Sequence, residues 1–191
     1  LSHLDTNANR VIESGETAYL AAGMRRGGSS YYLLDISKKT APKLVSQINS
    51  GDSGFEELGQ TWSKMTSATV MWKGIKTPVF FFGGGYDTDE DNAKTRITHD
   101  KGNAIYMVKA TTDSNGKAFD LLWKATGRST NSQGLSLSDM KSSFAGDLTL
   151  VDNDGNGTVD LIYAADVGGR IWRFDIDSSN TSANNFATGG I

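Results

Sequence analysis

The chain of 191 residues contains no cysteine, two histidines and two prolines. Without cysteine there is no disulfide, although calcium can stabilise an extracellular domain in its place, so the redox compartment stays open. Zinc and other metals that prefer soft ligands are disfavoured, because His3 and His99 are far apart in sequence. Any metal site is therefore expected to use oxygen ligands.

The sequence also lacks the motifs that are common at catalytic sites. It has no nucleophile elbow, no paired histidines near a carboxylate and no phosphate-binding loop of the Walker type. The glycine run Gly83–Gly85 has no helical pattern after it, so we interpret it as a strand end that another backbone approaches closely. The chain is predicted to be non-catalytic.

Charge and hydropathy argue against nucleic-acid binding and against a membrane-spanning segment. The net charge is -3, and the basic residues form short pairs rather than a stripe, so no nucleic-acid partner is predicted. No apolar segment is long enough to span a membrane, and no signal peptide is visible. The abrupt start at Leu1 and the loose composition after residue 177 suggest an excised piece, with targeting information outside it.

The most informative segment is 152–160, which spaces oxygen-bearing side chains two residues apart. Calcium takes about six to eight oxygen ligands, and a short loop can wrap it. Gly155 and Gly157 permit the backbone angles that this wrapping needs. An apolar run follows at once, which places the loop in a β-hairpin. The predicted ligands are the side chains of Asp152, Asp154, Asn156 and Asp160 and the carbonyl of Thr158.

The same loop has two alternative interpretations, a solvated turn and a magnesium site. Asp, Asn and Gly also dominate solvated turns that bind nothing. Carboxylates crowded into one turn repel each other without a cation, however, which favours an ion. Magnesium is less suitable because it demands a strict octahedron with retained waters.

A second, weaker candidate site lies near the start of the chain. Its residues fall at the oxygen-ligand positions of an EF-hand-like loop. Arg10 stands where the sharp turn normally has Gly, so the turn is more strained and the alternative is a polar loop before a strand. The candidate ligands are Asp5, Asn7, Asn9, Val11, Glu13 and Glu16. A further acidic run, from Asp87 to Asp91, is interpreted as a solvated loop.

The rest of the chain reads as strands and turns, since apolar runs are short and bounded by Gly, Asn, Asp or Ser. Strands are predicted at residues 17–24, 30–36, 43–48, 68–72, 78–83, 104–109, 121–124, 144–151, 161–166 and 170–176. A helical turn is predicted at 135–140.

Three strand pairs share one outline, which indicates an internal repeat. Residues 28–36, 102–110 and 168–176 each open with Gly and place an aromatic residue centrally. Such pairs are typical of successive propeller blades, each covering the hydrophobic face of its neighbour. Three units are too few for most closed propellers, and a β-sandwich with similar hairpins is the alternative. The four tryptophans, Trp62, Trp72, Trp123 and Trp172, are expected to anchor blade packing.

Several segments in fixed order carry a family resemblance. They are residues 23–28 followed by 31–36, then Gly83-Gly84-Gly85-Tyr86-Asp87, then Gly146-Asp147 before the acidic loop, and residues 169–175 after it. Over about residues 5–177 the chain resembles the C-terminal propeller of the PilC/PilY family of type IV pilus tip proteins. The resemblance implies an all-β, modified β-propeller with a calcium loop matching the five residues at 152–160. Asn156 stands where the family commonly has Asp, which removes one charge.

What the resemblance implies about function is specific. It implies control of pilus extension and retraction, twitching motility and surface adhesion, with minor pilins as partners and Ca2+ as the bound ion. The expected location is the cell surface, at the pilus tip or outer membrane, and host or surface ligands would be bound by regions outside this chain. Residues 1–177 are the predicted propeller-type domain and 178–191 a loosely ordered tail. A quinoprotein dehydrogenase-like propeller and an integrin-like calcium propeller remain alternatives.

Overall fold

The fold consists of three sheets that follow one another along the chain, and their strands pair antiparallel except for one parallel pair in the central sheet. The computed structural model describes residues 2–4, 11, 13, 16–93, 95, 98–112, 118–130 and 132–191. Within these ranges there is no α-helix, and only short 3-10 turns interrupt the strands. The all-β prediction is confirmed.

In each sheet, strands that are consecutive in sequence are neighbours, and apart from the last pair of the central sheet they form antiparallel meanders. The first sheet contains β1 (Ser2–Leu4), β2 (Thr17–Gly23), β3 (Ser30–Asp35) and β4 (Lys43–Asn49). The central sheet contains β5 (Thr66–Trp72), β6 (Ile75–Gly84), β7 (Gly102–Lys109), β8 (Leu121–Thr126) and β9 (Gly134–Ser136), with β9 parallel to β8. The third sheet contains β10 (Thr149–Val151), β11 (Leu161–Ala165), β12 (Ile171–Ile176) and β13 (Ala187–Gly190).

The central sheet is covered on both faces, which explains the continuous apolar runs of β6 and β7. Side chains alternate along a strand, so neighbours in sequence enter opposite cores. Phe80 and Phe82 pack with Tyr31 and other residues of the first sheet. Val79 and Phe81 pack in the second core, which includes Trp172 and Phe174 of the third sheet.

The sheets therefore stack as successive blades would, each hiding the hydrophobic face of the next. In the portion of the chain that the structure describes they do not close into a ring or barrel. No helix among those residues has the length and hydrophobicity needed to cross a membrane.

Three predicted segments differ from the structure. The strand predicted at 144–151 starts only at Thr149, because Phe144 instead bonds to Gly85, just after β6, and to Gly102, the first residue of β7. The turn predicted at 135–140 is confined to residues 137–140, where the Met140 amide donates to the Leu137 carbonyl at 2.9 Å, because Leu135 and Ser136 belong to β9 and pair with β8. The segment expected to be a loose tail carries β13, and Phe186 before it is completely buried.

Candidate metal centre

The acidic loop connects β10 to β11, the hairpin that the sequence predicts. Its base is closed by a hydrogen bond of 2.8 Å from the Asp160 amide to the Val151 carbonyl. Gly155 and Gly157 have φ angles of 75° and 83°, in the left-handed region that favours glycine. These two residues let the chain reverse twice within a few positions, so that alternate side chains point to one centre.

Three carboxylates converge inside this loop. One oxygen from each of Asp152, Asp154 and Asp160 lies within 4.8 Å of the others. Asp152 and Asp154 are exposed and Asp160 is half-buried, so an ion can reach the centre from solvent. Elsewhere in the described ranges no other group of three or more His, Asp or Glu side chains meets the same criterion.

Backbone amides of the loop hold Asp152 in place. Its carboxylate accepts hydrogen bonds from the amides of Gly155, Asn156 and Gly157 at 2.8, 3.2 and 2.8 Å. These bonds, that from Gly157 contributing most, lower the pKa of Asp152 below its ordinary value. The charge that a cation needs is therefore present at neutral pH.

The other predicted ligands belong to the same cluster. The side chain of Asn156 donates from Nδ2 to Asp154 Oδ2 at 2.8 Å, and its Oδ1 accepts from the backbone amide of Thr158 at 2.8 Å. Thr158 is buried. Asp160 accepts from the Asn153 amide at 2.7 Å. The structure thus brings four of the predicted oxygen-bearing side chains together with Thr158 beside them.

The donor set fits a hard cation. All the side-chain donors are oxygens, mostly anionic, and no nitrogen or sulfur ligand is present among them. Backbone amides partly offset the repulsion between the three carboxylates, and a divalent cation would offset the rest.

The loop also contacts the central sheet. The Val159 amide donates to the carbonyl of Thr69 in β5 at 2.9 Å, and the Val159 side chain is 8% exposed. Lys76 of β6 donates from Nζ to the Asn156 carbonyl at 3.0 Å. The candidate centre therefore lies where the third sheet meets the central sheet.

Comparison with known proteins identifies the relatives of this chain. No family model matches it. It is 28% identical to the type IV pilus biogenesis factor PilY1 of Pseudomonas aeruginosa strain UCBPP-PA14, over 86% of this chain and 12% of that protein. It is 23% identical to the PilY1 homolog of Xylella fastidiosa strain Temecula1, over 92% of this chain and 11% of that protein.

The chain is related to the PilY1 type IV pilus biogenesis factors. The resemblance predicted from the sequence is confirmed. A solved structure, the C-terminal domain of Pseudomonas aeruginosa PilY1, matches 84% of this chain and 27% of that domain with a TM-score of 0.53. At 23% identity this likeness shows the fold alone. The chain spans about an eighth of the length of the PilY1 relatives that it matches.

The second candidate site is only partly within the described residues. Asp5, Asn7 and Asn9 lie outside them. Val11 is 56% exposed, whereas Glu16 is buried and its carboxylate accepts a hydrogen bond from the Glu13 amide at 3.1 Å. An ion at this loop stays a prediction.

Sequence reasoning missed a buried polar cluster in the acidic run. Asp87 is buried rather than solvated, and its carboxylate accepts from the amides of Asp89, Asp100 and Lys101. His99 is buried beside it and contacts Glu90 Oε2 through Nε2 at 2.6 Å. Asp87 precedes the 3-10 turn Thr88–Asn92 and caps it, which is a signal that the sequence does contain. Its bonds to Asp100 and Lys101 join residues distant in sequence, so no local pattern predicts that it is buried.

Proposed function

We propose that this chain is a calcium-binding, non-catalytic part of a modified β-propeller in a type IV pilus biogenesis protein. Kinship with PilY1 supports the pilus role, and the stacked meanders support the propeller. The observation that carries the calcium assignment is the convergence of Asp152, Asp154 and Asp160 within 4.8 Å on a hairpin. Asn156 and the Thr158 carbonyl complete the proposed ligand set.

Calcium would act here by linkage between binding and folding. An ion that binds only the ordered loop stabilises it by about 2.7 kcal/mol at a hundredfold excess over its dissociation constant. The loop bonds to both β5 and β6 through Val159 and Lys76. Ordering it therefore stabilises the contact between two sheets, and with it the surface that would meet pilus components such as minor pilins.

In cells, this calcium-dependent ordering of the loop would regulate pilus extension and retraction at the pilus tip or outer membrane, supporting twitching motility and adhesion. Ligands on the host or on other surfaces would be bound by other regions of the full protein.

The buried serine and histidine support the non-catalytic proposal. Ser143 Oγ lies 2.6 Å from His99 Nδ1, and His99 in turn contacts Glu90, which resembles a hydrolase triad. Ser143 is completely buried, however, and its hydroxyl also donates to the Lys101 carbonyl at 3.1 Å. A nucleophile without access to a substrate serves packing instead.

The test is calorimetric titration of the chelator-treated protein with CaCl2. Wild type is expected to show a saturable site and a raised melting temperature, because the ion binds the folded loop alone. Asp152→Ala should abolish both effects. Asp139→Ala, which removes an exposed carboxylate outside the cluster, should change neither.

The same pair of variants in the full-length protein would test the cellular role by scoring pilus retraction. Loss of retraction in Asp152→Ala but not in Asp139→Ala is expected. Absence of heat in wild type, together with an unchanged melting temperature, would reduce the loop to a solvated turn.

A further inference from the structure

A cavity of about 420 Å³ is lined entirely by residues outside the acidic loop. It is formed by the 3-10 turn Arg25–Gly27, the connection at 59–62, the segment that follows β6 and the connection at 145–146. Its wall contains Arg26, Gln60, Trp62, Tyr86 and Asp91. Ligand pockets commonly measure about 300–1,000 Å³, so the cavity has the size of a small-molecule site.

The aromatic part of the wall is rigidly held. Gln60 and Tyr86 form a β-bridge with reciprocal amide-to-carbonyl bonds of 2.9 Å. Trp62 Nε1 donates to Gln60 Oε1 at 3.2 Å, which fixes the indole. Gly85 adopts a φ of 94°, and a Cβ there would lie 2.1 Å from the Gln60 carbonyl oxygen. Both rings are therefore positioned before any ligand arrives, which lowers the entropic cost of binding.

Backbone strain lies beside the same wall. Arg25 has a φ of 52°, which is uncommon for a residue with a side chain. Its guanidinium carbon lies 5.7 Å from the centroid of the Trp62 ring, in a cation–π contact. Strain of this kind persists where the surroundings impose it and is concentrated at binding sites.

A donor and an acceptor face each other across the wall. Asp91 Oδ1 accepts from the Tyr86 hydroxyl at 3.0 Å, while Asp91 Oδ2 lies 3.9 Å from an Arg26 nitrogen. That separation is too long for a hydrogen bond. The carboxylate oxygen and the guanidinium therefore keep hydrogen-bonding capacity for a ligand, and their opposite charges favour a neutral one.

We propose that this cavity binds a neutral sugar ring of a glycan. A pyranose has an apolar C–H face that packs on an aromatic ring and adjacent hydroxyls that both donate and accept. The hydroxyls would bridge Asp91 and Arg26, and the apolar face would contact Trp62 or Tyr86. The proposal is independent of the metal loop.

The test is titration of the intact protein with methyl α-glucoside, methyl α-galactoside, methyl α-mannoside, maltose and lactose. Binding would be followed by tryptophan fluorescence and by saturation-transfer NMR. At least one sugar is expected to bind saturably, with a dissociation constant about tenfold weaker in Trp62→Ala. Arg26→Gln should weaken binding as well, and because Arg26 is highly exposed this variant keeps its fold.

Tyr163→Ala, which removes an aromatic side chain of β11 that does not line the cavity, is the matched control and should bind as wild type does. Chelation of metal should leave the affinity unchanged, which separates this site from the acidic loop. The proposal is overturned if none of the sugars binds, or if binding persists undiminished in both cavity variants. Binding of uncharged blocked tripeptides in place of sugars would likewise overturn it and assign the cavity to a peptide.

Discussion

At the scale of single residues, the acidic loop depends on amides as much as on carboxylates. Asp152 accepts bonds from three successive backbone amides, a concave arrangement that suits an anion. The remaining loop carboxylates take fewer such bonds. Asp152 therefore organises the turn even before an ion binds, while Asp154 and Asp160 complete the negative charge.

This organisation predicts a pH dependence of the metal-free protein. The pKa of Asp152 in the folded state lies below its ordinary value of 3.8. Its contribution to the free energy of unfolding is therefore fully present above the unfolded pKa and is lost as pH falls through the folded one. Urea unfolding below about pH 4 should show a shallower loss of stability in Asp152→Asn than in wild type.

The comparison between the two proteins is necessary because other groups titrate in the same window. The pKa values of Asp35 and Asp177 are also lowered, chiefly by the hydroxyls of Ser37 and Ser179. These contributions are common to both proteins and cancel in the difference. Identical slopes would show that the amides around Asp152 do not stabilise its charge.

At the scale of strands, glycines set how closely segments approach. Gly83 near the end of β6 lies against the connection after β9, and a Cβ there would be 2.3 Å from the Phe144 carbonyl oxygen. The backbone at Phe144 cannot move away easily, because its carbonyl accepts from the Gly85 amide and its own amide donates to the Gly102 carbonyl. The prediction from sequence that another backbone approaches the glycine run closely is confirmed.

Gly83→Ala should therefore lower the free energy of unfolding by about 1–3 kcal/mol, through overpacking against the backbone. Gly190→Ala is the control, since no atom lies within 4 Å of the Cβ position there and the substitution should cost less than about 0.5 kcal/mol. Chemical denaturation of both variants measures the difference. Equal stability of the two would mean that Phe144 moves away without cost.

Strands with local patterns were predictable, and those defined by distant partners were not. Alternating or continuous apolar runs located the centres of β2 through β8, β11 and β12. The short strands β9 and β13 contain glycine and few apolar residues, so only their pairing with β8 and β12 makes them strands. Nor does sequence show that Lys124 of β8 is buried, with Nζ 3.1 Å from the buried Glu57 carboxylate.

At the scale of the whole molecule, the same distinction separates the two candidate sites. The residues of the acidic loop lie within nine positions of one another, so their spacing alone predicts that they converge. The cavity at Trp62 draws on four segments, and its shape exists only once the first and central sheets have packed. For this reason the sequence predicts that all four tryptophans pack in the core. In the structure Trp123 and Trp172 are fully buried, and Trp62 lines the cavity.

The position of the loop between two sheets predicts a local effect of calcium on dynamics. If an ion orders the loop, the Val159 amide bonded to Thr69 should exchange its hydrogen more slowly in calcium than in chelator. The Gly59 amide, bonded to the Gly84 carbonyl near the first sheet, should change little. Native-state hydrogen exchange measured by NMR resolves both positions.

Two variants, Lys76→Met and Asp160→Ala, distinguish the contact of the loop with the central sheet from the binding of calcium in this experiment. Asp160→Ala should remove the calcium effect on Val159 altogether, because it removes a ligand. Lys76→Met keeps every proposed ligand but loses the bond to the Asn156 carbonyl, so calcium should still bind while protecting Val159 less. Uniform slowing at Val159 and Gly59 would instead mean that calcium stabilises the whole fold, and that the contact between the third and central sheets has no special part in its action.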